Sequence, residues 1–122
     1  MTRPSLCDRT WSDYMRHGVE GAELHTLAAN DSAGDDAGLI GEIELGLTNY
    51  GLETHHIIVD RNPDGSFDVA TGVTDDTTGT WFDWQSTCET CEPAAVDSVV
   101  AAYLFMAESS DFTRIKRITR CE

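Results

Sequence analysis

Between residues 54 and 84 the chain alternates apolar and polar positions three times, and each interruption is a cluster of turn-forming residues. That pattern restricts the stretch to an antiparallel β-meander. His55, Ile57 and Val59 alternate with His56, Ile58 and Asp60. Asn62-Pro63-Asp64-Gly65 suits a type I turn, because Pro63 presets φ and Gly65 supplies the left-handed position. Phe67, Val69, Thr71 and Val73 then share one face, with Asp68, Ala70 and Gly72 on the other. After a second turn, from Asp75 to Gly79, Thr80, Phe82 and Trp84 oppose Trp81, Asp83 and Gln85. A strand aromatic on both sides is either covered on both faces or offers one to a partner.

Helices are expected around this sheet. Pro93 fits a first-turn position, where no amide donor is needed, and Val96, Val99, Val100, Tyr103 and Leu104 follow at i, i+3, i+4, i+7 and i+8. The spacing predicts a core helix over 93–108, packed across the sheet. Ser5 caps a first helix over 5–17, with Cys7, Trp11, Tyr14 and Met15 on one stripe. Residues 20–29 read as a short helix. Residues 39–50 also read as a helix, since Leu39, Ile40, Ile43, Leu47 and Tyr50 fall on one arc, although the alternation of Ile43 and Leu45 with Glu42 and Glu44 suits a strand. Phe112, Ile115 and Ile118 place helical spacing in a last element over 111–120. The expected fold is therefore α+β, a single domain over 1–122, with a three-stranded antiparallel meander (about 54–84) packed against helices that include 93–108.

The charge is distributed unevenly. From His17 to Thr113 the sole Lys or Arg is Arg61, against 19 Asp and Glu, while both ends are positive. Such a field repels nucleic acid and anionic membrane and attracts basic surfaces. No apolar run approaches membrane-spanning length and no signal-peptide pattern opens the chain, so a soluble cytoplasmic protein is the expectation. The acidity has two readings. One Lys, seven Arg and many Asp and Thr resemble the compositional style of salt-loving archaea. A negative surface that engages a basic partner is the other.

Four thiols carry the clearest metal signal. Cys88 and Cys91, in CETC, have the spacing of a zinc knuckle; Cys7 and Cys121 would complete a tetrahedral site if both basic ends docked on the acidic middle. A disulfide joining the two chain ends, or simply buried thiols, are the alternatives, and Glu89 and Glu92 beside the pair oppose a redox role. The run from Asp60 to Thr71 begins like a calcium loop, yet Thr71 stands where a bidentate carboxylate belongs, and a hairpin explains it better. His55 and His56, adjacent on a strand, point to opposite faces, one exposed and the other under the helices. No nucleophile–His–acid set, phosphate-binding loop or HExxH motif is present.

The function expected from these features is a non-enzymatic interaction protein whose acidic surface engages a nucleic-acid-binding, basic site on a partner protein. In its sharp form it is a nucleic-acid-mimic inhibitor of a restriction or CRISPR-type complex. Asp75, Asp76, Asp83, Trp81, Glu89 and Glu92 are the expected contact residues. A structural zinc module of a halophile is the alternative, and a small enzyme using a histidine and nearby carboxylates is the third.

Overall fold

The computed structural model describes residues 5–27, 38–49 and 51–121. In chain order it has a 3₁₀ turn (Leu6–Asp8), α1 (Trp11–His17), β1 (Glu23–Leu27), β2 (Leu39–Gly46), β3 (Glu53–Arg61), β4 (Phe67–Asp75), β5 (Trp81–Cys91), α2 (Pro93–Ser109) and β6 (Arg114–Cys121). The strands form one six-stranded sheet in the order β1-β6-β2-β3-β4-β5, and every pairing is antiparallel except β1 with β6. The fold is α+β, with the meander as part of a larger mixed sheet. Among the described residues no helix is long and apolar enough to cross a membrane.

Both helices pack on one face of the sheet. Ile43, Leu45, Ile57, Val59, Val69 and Ile118 rise from it into Val96, Val100, Leu104 and Ala107 of α2, and all are buried. Trp11 and Tyr14 of α1 close the same core. Burying such aliphatic side chains is worth about 1.5–3 kcal/mol each before conformational entropy is subtracted. On α2 the buried row is narrower than the stripe in the sequence. Val99 and Tyr103 are only partly buried, because that flank of the helix faces a cleft.

Four expected elements differ. The first helix is two pieces: Ser5 caps the 3₁₀ turn, the chain is extended at Arg9, and Thr10 begins α1 by accepting from the Asp13 amide. Residues 39–46 form β2, not a helix. Sheet pairing wins because Gly41 and Gly46 weaken a helix while Ile43 and Leu45 alternate cleanly with Glu42 and Glu44. Gly41 also lets α1 approach, since a Cβ there would collide with Met15 and Trp11. Residues 23–27 of the expected second helix form β1, and residues 28 and 29 lie outside the described residues.

The helical spacing of Ile115 and Ile118 has a different origin. β6 is a strand, and its register against β2 slips so that Leu45 meets Ile115 while Glu44 meets Arg117, leaving Lys116 as the extra residue. A bulge puts two residues on one strand against one on its partner. Residues three apart therefore reach the same face, as they would on a helix. Two of this strand's cations meet acids, while Arg120 donates to Thr26 and to carbonyls of Met15 and Arg16. Arg117 Nε lies 3.1 Å from Glu23 and 3.6 Å from Glu44, and Lys116 Nζ lies 3.2 Å from Asp76.

Candidate ligand cleft and the opposite sheet face

The cleft originates in the shape of β5. Eleven residues, Trp81 to Cys91, run beside the eight from Phe67 to Thr74, and three register shifts absorb the difference. Bulges bend a strand and raise its twist, so this edge departs from the plane that α2 covers. At the bulge between the Val73–Phe82 and Thr71–Gln85 pairs, Asp83 adopts φ 54°. Aspartate tolerates the left-handed region better than most residues, but glycine is the usual occupant.

Between α2 and strands β3 to β5 lies a cavity of about 660 Å³. Val73, Val99, Ala102 and Met106 supply an apolar wall; His55, Thr71, Asp83, Gln85, Thr87 and Tyr103 supply polar groups. His55 Nδ1 and Tyr103 Oη share a 2.6 Å hydrogen bond, and the imidazole packs tilted against Phe112, ring centroids 3.9 Å apart. Burial pushes the His55 pKa down, His56 adds to this, and Asp83 opposes it. Burial likewise pushes the Tyr103 phenol up. The pair is thus held uncharged near neutral pH. Thr71 and Thr87 hydroxyls meet at 2.9 Å across the strands. Chemically, the cleft offers neutral donors and acceptors on an apolar wall, with one carboxylate, Asp83, in its lining.

The uncovered face of the sheet carries a second polar group. His56 is 7% exposed, so neither adjacent histidine is left in solvent; Trp81, ring centroids 4.4 Å away, lies against it. Its Nδ1 meets Glu42 at 2.6 Å and its Nε2 meets Thr74 at 2.9 Å. Donor atoms of Glu42, Glu44 and His56 lie within 4.8 Å of one another, a set that suits a divalent cation. Arg117 competes for Glu44, however, and both ring nitrogens of His56 already have partners. Burial, then the like charge of Glu42, raises the Glu44 pKa.

The four thiols do not converge. Cys88 and Cys91 are joined to each other in β5, with Cα atoms 6.0 Å apart. Cys7 donates to the carbonyl of Ala101 at 3.2 Å, about 12 Å along α2 from its first residue. Cys121 pairs with Leu27 of β1, four strand spacings or about 19 Å from β5. The basic C-terminal strand docks in the sheet, where Lys116 and Arg117 meet acids, rather than at the CETC pair, and Arg9 of the other end meets carbonyls of Asp13 and Gly18. The Asp60–Thr71 run is a hairpin, with the Asn62 amide donating to Ser66 and Gly65 at φ 87°.

The expected contact residues separate as well. Asp76 is exposed, but its carboxylate already accepts from Thr54 and Lys116. Asp75 accepts from the Thr77 amide, Asp83 lines the cleft, and Glu89 and Glu92 are exposed at the end of β5 and start of α2. Trp81 sits over Gly72 on the open face together with Trp84, not opposite it, because the Asp83 bulge reverses the alternation. No sequence signal marks His55–Tyr103. The pairing spans 48 residues, and Tyr103 sits on the helical stripe that signalled core. No protein-family model matches this chain, no curated protein aligns with it significantly, and no solved structure superimposes on it significantly.

Proposed function

We propose that this chain is a binding protein for a small, largely apolar molecule, held between α2 and strands β3 to β5. The observation that carries the reading is the cleft itself. It has about 660 Å³ of space, an apolar wall and an uncharged His55–Tyr103 pair beside it. Ligand sites are concave, mostly apolar and fitted with a few placed polar groups. Its test is displacement. A solvatochromic apolar dye should bind with blue-shifted emission, and Ala102→Trp, which fills the cleft from α2, should abolish binding while the fold is retained. Unchanged dye binding by that variant would refute the reading.

A second reading concerns the outer edge. Trp81, Phe82 and Trp84 are exposed at 45%, 39% and 55%, on a strand that also bears Asp83 and Glu89. That supports docking of a basic protein surface on β5, including the nucleic-acid-mimic form of such docking. A Lys/Arg-rich peptide should then quench tryptophan emission at low salt and release as salt rises. Loss of the interaction in Trp84→Ser is required; binding that ignores this change would sink it.

A further inference from the structure

We infer that the cleft is selective for an organic monocation, an amine carried on an apolar body, with Asp83 as the residue that reads the charge. The inference rests on the cleft being a ligand site. Among the lining residues Asp83 is the one charged side chain; His55, Thr71, Gln85, Thr87 and Tyr103 offer neutral polar atoms. Among the described residues no Lys or Arg lines the cleft, so an anionic ligand would meet the Asp83 carboxylate without a cation beside it.

Several other aspartates are already engaged: Asp13, Asp64, Asp68, Asp75 and Asp76 accept hydrogen bonds from neighbouring amides or side chains. Among the described residues none hydrogen-bonds or ion-pairs with Asp83. It lines the same cleft as His55 and Tyr103.

The backbone adds a second argument. Asp83 occupies a left-handed bulge position where glycine would relieve strain. The bulge sets Asp83, Gln85 and Thr87 toward the cleft and turns Trp84 away, onto Gly72. An ammonium group at Asp83 would make a charge-assisted hydrogen bond, stronger than a neutral one. Its apolar body would lie on Val73, Val99 and Met106. A net charge of −14 draws cations toward the whole molecule as well, so the test must separate Asp83 from that general field.

The experiment uses three fluorescent probes of one shape: dansylcadaverine (an amine), its N-acetyl derivative (neutral) and dansyl-aminohexanoate (an anion). Each is titrated into the full chain, Asp83→Asn, Glu89→Gln and Ala102→Trp, after circular dichroism has verified each variant's fold. Asp83 is exposed, so the amine should bind more tightly than the neutral probe by about two- to fivefold, with the anion weakest. Asp83→Asn should erase the preference, whereas Glu89→Gln, an equal change in net charge on the same strand, should keep it. Amine and neutral probes binding equally well, both blocked by Ala102→Trp, would overturn the inference and leave the cleft reading standing. A preference that survives Asp83→Asn would also overturn it. Failure of all three probes to bind would overturn both.

Discussion

Strand β4 meets β3 in an unbroken register of nine residue pairs, from Glu53 opposite Asp75 to Arg61 opposite Phe67, whereas along its other edge β5 slips register three times. The regular side is the hydrophobic centre, where Ile57, Val59 and Val69 have no exposure at all. The irregular side carries the cleft, two of the left-handed non-glycine residues, Asp83 and Thr90, and the exposed tryptophans. An even pleat fills its own space, so it stabilises the molecule and leaves nothing open. Bulges relinquish packing and create room in return. The packed centre and the cleft thus meet along β4, with β3 lending His55 to the cleft.

The comparison can be broken most forcefully at α2, which faces both regions. Val100→Asp places a charge at a position of zero exposure and should unfold the protein, at a cost of about 4 kcal/mol or more. Native-like circular dichroism for that variant would mean the centre has been misidentified. Next in size, Leu104→Ala should cost about 3 kcal/mol and Val99→Ala, on the cleft flank, about 1 kcal/mol, read as urea midpoints. Equal losses would erase the distinction between the two sides of the helix.

Gly72 tests the bulged side from the open face. A Cβ there would lie 2.7 Å from Trp84 and 3.0 Å from Trp81. Gly72→Val should displace both rings, cost about 1–2 kcal/mol and remove the near-ultraviolet dichroism of the edge-on pair. Persistence of that signal would show that the rings do not depend on the missing side chain.

The response to pH is smaller. Because burial lowers the folded pKa of His55, the unfolded chain binds a proton that the folded chain refuses. Stability from this group is complete above its ordinary pKa of 6.5 and is lost as pH falls below it. Glu44, shifted upward, acts with the opposite sign, so His55→Asn is the needed control. It should flatten the fall in urea midpoint between about pH 7.5 and about pH 5.5. An identical profile would remove His55 as the cause. The smallest expected effect has the opposite sign. Asp83→Gly should stabilise by up to about 1 kcal/mol through relief of its left-handed backbone. A loss of stability would indicate that the aspartate is kept for the fold.

What the sequence made legible follows the same division. The strands and turns of residues 53–75 were readable because period two, Pro63 and Gly65 all agree, and the helix from Pro93 was readable from its stripe. Strand β6 was hidden because its bulge at Lys116 spaces Ile115 and Ile118 three apart, the signature of a helix. β2 was ambiguous in composition and was settled by its neighbours, through the close approach of Met15 and Trp11 to Gly41. The cleft could not be read. It depends on register shifts, which no local pattern encodes, and on His55 meeting Tyr103 across a long loop of chain. The Glu42–Glu44–His56 group was missed for a related reason, since it forms only when β2 lies beside β3.

The basic strand has a consequence for assembly. β6 sits between β1 and β2, and among the described strands it is β1's one partner, with Glu23 opposite Arg117 across 94 residues of chain. Contacts so distant in sequence close late and slowly. Until β6 arrives, Glu23, Glu44 and Asp76 lack the cations that the finished sheet gives them. The step that docks this strand should therefore slow as salt is added, because screening weakens the attraction between its cations and those acids.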